Sequence, residues 1–203
     1  MPAGGLRRRT PSKSRLGRAF LAGALLGSLG AFPSPRAEDP AGIPLEHQVK
    51  IAFLYNFAKF VEWPPGAFSD GTAPLVIGAL GTGPLCDELA TTLQGKMVNA
   101  RSILVKRFRP GERIEHVQIL FVSPSIGKEL PHALGALRGA AILSVGDTDG
   151  FTALGGMINF RIEENRVRFD VNIDAAELAG LKISSKLLTV ARVVRVGSTE
   201  GRN

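Results

Sequence analysis

From Glu46 to Pro65 the chain reads EHQVKIAFLYNFAKFVEWPP, with apolar positions at helical spacing. At about 100° per residue, Ile51, Phe53, Leu54, Phe57, Ala58, Phe60 and Val61 share one arc of roughly 200°. Gln48, Tyr55, Asn56, Lys59 and Glu62 face the other way. So wide an arc exceeds the stripe of a surface helix, so the helix is expected to be covered on most sides. Trp63-Pro64-Pro65 is expected to end it, because neither proline continues the hydrogen-bond ladder.

Downstream the pattern changes. Residues 75–80, 101–107, 117–122 and 140–145 are short apolar runs of strand type. Between them, residues 85–94 and a stretch from Ser123-Pro124 to about Arg138 read as helices. Ser123 suits an N-cap, Pro124 the first helical position and Gly95 a helix stop. Strands alternating with helices predict βαβ units and a parallel sheet. Residues 155–162 and 166–172 then form a hairpin across Glu163-Glu164-Asn165. In its second strand Val167, Phe169 and Val171 alternate with Arg166, Arg168, Asp170 and Asn172, which predicts one covered face and one wet face. A short helix over 174–180, with Asp174 as candidate cap, and another over 186–194, capped by Ser184-Ser185, complete the chain. The expected fold is a single α/β domain: a mostly parallel sheet with flanking helices and a C-terminal β-hairpin followed by helices.

Charge changes this picture only at the N-terminus. The net charge of +7 invites a nucleic-acid or membrane partner, but seven of the 25 Lys and Arg residues precede the first acidic residue, Glu38. The remaining 18 meet 18 Asp and Glu, so the domain is neutral and has no global field for phosphate backbones. Residues 1–37 combine this basic segment with the apolar run AFLAGALLGSLGAF and are expected to be a signal peptide. The run is too short to span a bilayer core of about 30 Å. Ala37 and the Ser28-Leu29-Gly30 stretch are alternative cleavage sites, and a basic tail or uncleaved anchor is the competing reading. Residues 38–45 read as a flexible lead-in and 197–203 as a disordered tail.

Candidate chemistry is sparse. Gly81-Thr82-Gly83-Pro84 lies between a strand and a helix, but lacks both the third glycine of a dinucleotide fingerprint and the Gly-Lys-Ser/Thr of a P-loop. The single cysteine, Cys86, cannot form an internal disulfide and reads as a small buried hydrophobe. His47, His116 and His132 are scattered, and no Ser-His-Asp order or cofactor motif is present. Asp147, Asp149 and Gly150, in GDTDGF, follow a strand at the end of the sheet where ligands bind in α/β folds. They are candidate ligand-binding residues. The alternative is that both carboxylates accept from backbone amides of a turn. Two aspartates without a third oxygen ligand make no metal motif.

IAFLYNFAKFVEWP, QILFVS, SVGDTDGF, GGMINF, RVRFDVNIDAAELAGLKISSKLL and ARVV together resemble the YfiR family of bacterial periplasmic proteins across residues 46–196. That resemblance implies a periplasmic α/β domain with no cofactor and no catalysis, which regulates by protein contact. Its implied partner is the periplasmic domain of a membrane signalling protein, a diguanylate cyclase, linking the chain to cyclic di-GMP; an outer-membrane lipoprotein is a second implied partner. No nucleic acid is expected, and a homodimer stays open. A small-ligand sensor acting on another receptor or kinase is the alternative. Under the family's contact mode, Trp63 and Phe68 are candidate partner-binding residues, although Trp63 could equally close the end of the core. The family often carries cysteines where this chain has Gly78 and His116, so the family's disulfides are not expected here.

Overall fold

The computed structural model describes residues 44–195. The stretches expected to be a signal peptide and a tail, and most of the expected lead-in, lie outside the described residues.

The opening helix α1 spans Leu45–Phe60 and buries Ile51, Leu54, Phe57 and Ala58 as its spacing requires. It stops before the prolines. Val61–Glu62 turns extended and forms β1, which pairs antiparallel with β9, Lys182–Ile183. The prolines therefore follow a strand that already has a partner, and Ser184 N closes the helix end by donating to Phe60 O. Phe60 is only half-buried.

The main sheet has eight strands in the order β10-β8-β7-β6-β5-β2-β4-β3. Here β2 is Leu75–Leu80, β3 Met97–Val98, β4 Arg101–Phe108, β5 Ile119–Val122 and β6 Leu143–Gly146. The far end comprises β7, Ile158–Glu163, β8, Arg166–Asn172, and β10, Arg192–Val194. Pairing is parallel from β4 through β2, β5 and β6 to β7, as the alternation of strands and helices predicts. The β7–β8 hairpin is antiparallel, with Phe160 opposite Phe169.

Two apolar layers lie on opposite sides of the sheet. On one side α1 and α2, Pro84–Leu93, cover Ile77, Ile103, Phe121, Val145, Phe160 and Phe169. There the Phe57 ring stacks on Phe160 at 5.9 Å and meets Phe169 edge-on at 5.2 Å. On the other side α3, Leu130–Leu137, covers Val76, Leu80, Leu120 and Val122.

Four sequence expectations need correction. The 123–138 stretch is not one helix. Ser123 caps as expected, but Pro124–Glu129 is a 3₁₀ turn, and Gly127 at φ 50° redirects the chain into α3. The short helix α4, Ile173–Leu178, is capped by Asn172, whose Oδ1 accepts from Ala175 N, and not by Asp174. The 186–194 stretch holds only the four-residue α5, Ser185–Leu188; residues 192–194 become β10, parallel to β8. Helical spacing of Leu187, Leu188 and Ala191 loses here to backbone pairing with an open strand edge. The wet face of β8 is wet only at its start: Asp170 and Asn172 are buried.

Candidate functional site

The GDTDGF motif begins where β6 ends. Gly146 and Gly156 lack side chains because the Phe151 ring occupies that space. An added Cβ would lie 2.3 Å from the ring at Gly146 and 2.1 Å at Gly156. SVGDTDGF and GGMINF are thus two halves of one packing device, with Phe151 fully buried between them. The loop they bracket carries the candidate ligand residues. Asp147 Oδ2 takes a hydrogen bond from Lys50 Nζ at 2.6 Å, a side-chain partner from α1 and not the turn amide that the alternative reading expected. Lys50 also pairs with Glu46 one helical turn earlier. Lys50 is 2% exposed, which a charged group tolerates only when paired. It precedes Leu54 by four residues and Phe57 by seven, so its place on the covered stripe of α1 was readable from spacing. Thr148 N donates to Asn159 Oδ1 at 3.2 Å. Asp149 and Gly150 are exposed, Gly150 with a φ of 78°. No three side chains able to hold a metal converge among the described residues.

Trp63 and Phe68 come together, half-buried, with ring centroids 6.2 Å apart and edge-on. Trp63 Nε1 donates to Gln118 O at 3.1 Å. The Arg101 guanidinium lies 4.0 Å from the Phe68 centroid. Gln118 Nε2 donates to Ala67 O, while its Oε1 accepts from Val76 N. Asp70 accepts from Thr72 and Ala73, and these hydrogen bonds hold its carboxyl below the usual carboxylate range. Both aromatic rings therefore belong to a fastened segment that closes this end of the core.

The crevice between β2 and β5, where the strand order reverses, is filled by the protein's own hydroxyls. Ser123 Oγ donates to Thr82 O at 2.6 Å, and Thr82 N donates to Ser125 Oγ at 2.8 Å. Cys86 is 1% exposed in the adjoining helix. Burial pushes its thiol up, against smaller opposing effects of Arg107 and Ser123.

A profile of the YfiR/HmsC-like family matches residues 47–192, nearly the whole described chain. The chain belongs to the YfiR/HmsC-like family. That family is periplasmic and regulatory. No curated protein matches the chain. In this YfiR/HmsC-like chain Gly78 of β2 is held to glycine by packing: a Cβ there would meet Leu120 Cδ1 at 2.7 Å. His116 is exposed, with a φ of 56°.

The sequence reading missed the charged cluster on the hairpin of this YfiR/HmsC-like domain. Arg161 Nε donates to Asp170 Oδ1 at 2.8 Å, and Arg192 of β10 donates to the other oxygen, Oδ2. Arg161 Nη1 also reaches Glu163 Oε2 at 2.7 Å. Glu163 first, then Asp170, raise the Arg161 guanidinium above its ordinary value. Alternation of Arg168 and Asp170 marked a polar face, but only the strand order brings Arg192 to it. No helix among the described residues is long and apolar enough to cross a membrane.

Proposed function

We propose that this chain is a periplasmic, non-catalytic regulator that acts by binding the periplasmic domain of a membrane-bound diguanylate cyclase, restraining cyclic di-GMP synthesis. The observation that carries this reading is the family match over residues 47–192. The site geometry supports it. The most distinctive motifs serve packing around Phe151, Asp147 is held by Lys50, and Cys86 is a buried, poorly ionised thiol. Residues 1–37 act as a cleaved signal peptide in this reading. An outer-membrane lipoprotein that competes for the same chain would relieve the restraint. Deleting the gene and measuring cyclic di-GMP tests the reading. A rise that is reversed by the restored gene is expected, and unchanged levels under several envelope stresses would defeat it.

One feature favours a second reading, a small-ligand sensor. An open groove of about 380 Å³ lies between α3 and α4, with Leu134, Leu154, Met157 and Leu178 among its walls. Thermal shift against periplasmic metabolites would favour that reading if one compound raised the melting point while deletion left cyclic di-GMP unchanged.

A further inference from the structure

The strand register puts the side chains of Asn159, Arg161 and Glu163 of β7 on the same side of the sheet as Arg166, Arg168 and Asp170 of β8. Arg192 of β10 sits opposite Asp170 on that side too. This is the side that α3 occupies, but α3 packs over β2 and β5. At the hairpin end Arg166, Arg168 and Arg192 are exposed and Arg161 is half-buried. Four arginines share the face with two carboxylates, Glu163 and Asp170, in a domain whose charges balance overall from Glu38 onward.

The cluster is more than an ordinary wet face. Asp170 is buried, and its two oxygens hold the guanidinium groups of Arg161 and Arg192, which orders both. Arg168 stands directly opposite Arg161 in the antiparallel register, a like-charge pairing that works against the hairpin. Arg166 and Arg168 make no ion pair or hydrogen bond among the described residues. Arginines on an edge strand can serve to block unwanted strand pairing, which would account for Arg192. It does not account for Arg161 and Arg168, whose strands both have neighbours on either side.

We propose that the open face of the β7–β8–β10 end is a docking surface for an acidic segment of the protein partner, with Arg168 and Arg166 as the groups that the partner's carboxylates pair with. The proposal rests on the regulatory reading for the partner's identity and on charge complementarity for its chemistry. A protein fits better than an anionic membrane. Carboxylates are interleaved with the arginines, and the exposed Ile162 alternates to the opposite side from Arg161 and Glu163, so the paired positions of β7 and β8 on the arginine side form no apolar stripe of the kind that a bilayer takes up.

Two measurements test it on the mature domain. Fluorescence anisotropy with a labelled decaglutamate peptide at low salt probes the face alone. Wild type is expected to bind, with weakening as salt rises. Arg168→Glu is expected to weaken binding about tenfold or more, Arg168→Gln less, and Lys128→Glu on the 3₁₀ turn not at all. Equal binding by Arg168→Glu and wild type, or no wild-type binding, would overturn the proposal. Binding to phosphatidylglycerol vesicles that depends on Arg168 and exceeds binding to the peptide would overturn it in favour of a membrane. In cells, Arg168→Glu is expected to leave cyclic di-GMP as high as in the deletion strain, while Lys128→Glu restores the low level. Full restoration by Arg168→Glu, at normal protein abundance, would overturn the docking surface. No rise on deletion would instead defeat the cyclase reading, and the peptide result would then decide the face. Melting curves of both arginine variants guard against a folding defect, since Arg168 has no partner to lose.

Discussion

The two ends of the sheet solve the same problem differently. In the parallel part, β2 is buried at all six positions, because α1 and α2 cover one side and α3 the other. At the hairpin end α1 still covers Phe160, Phe169 and Val171, yet the opposite side carries Arg161, Arg168 and Asp170. The parallel part is continuous core, so its residue types are set by packing. The hairpin end has a free face, so its residue types can be set by something else. A buried carboxylate shared by two arginines, beside a third arginine with no partner, is what the free face holds. Structure and recognition are thereby separated along one sheet.

The largest effect expected from breaking this contrast is on the covered side of the hairpin. Phe57→Ala removes the ring that bridges α1 to Phe160 and Phe169 and should cost about 3–5 kcal/mol in urea unfolding. Lys59→Ala, exposed on the same helix, should stay within about 0.5 kcal/mol. Equal losses would mean that α1 does not pack on the hairpin as described.

On the free face, Asp170→Asn leaves two guanidinium groups competing for a neutral amide. A loss of about 1.5–3 kcal/mol is expected, because a hydrogen-bonded charge is removed from a buried site. Arg168→Gln should change stability by less than about 0.5 kcal/mol. If the two variants cost the same, the network is not the organising feature of that face.

In the parallel part, Gly146→Ala drives a methyl group into the Phe151 ring. A loss of about 1–3 kcal/mol is expected from overpacking, without any change in decaglutamate binding. A variant that binds the peptide differently would couple the two ends of the sheet.

The smallest expected effect concerns Cys86. Its thiol is raised by burial, so the folded state favours the neutral form. That contribution is fully present below the unfolded thiol's pKa and is lost as pH rises through the folded one. Melting points measured from neutral to alkaline pH should therefore fall only at the alkaline end. Addition of reductant should leave the melting point unchanged, since the described chain has one cysteine. A melting point that drops with reductant at neutral pH would point to a Cys86–Cys86 bridge between chains.

Periodicity alone was enough for the α1 stripe, the four parallel strands and the existence of the hairpin, because each buries a repeating apolar face within one local segment; the register was decided by the fold, which pairs Glu163 with Arg166 and leaves only Glu164-Asn165 as the loop. The family resemblance was also readable, since it rests on residue order. The wet face of β8 was readable as a pattern, Arg166, Arg168, Asp170, but not as a network. Lys50 was readable from its spacing to Leu54 and Phe57, while its bond to Asp147 was not. Those residues are 97 apart in sequence, and no local signal connects them.

What the chain determined by itself is whatever a single segment decides: turn glycines, the Ser123 cap, strand alternation and the neutral charge of the domain. Tertiary structure decided where competing local preferences went. Residues 192–194 had helical spacing but became a strand, because β8 offered an unpaired edge and Asp170 a partner for Arg192. Val61-Glu62 left the helix because β9 stood ready to pair with it. Phe151 explains Gly146 and Gly156 only once the loop folds back over the sheet. In each case the deciding energy comes from groups far apart in sequence, and only the folded chain brings them within contact distance.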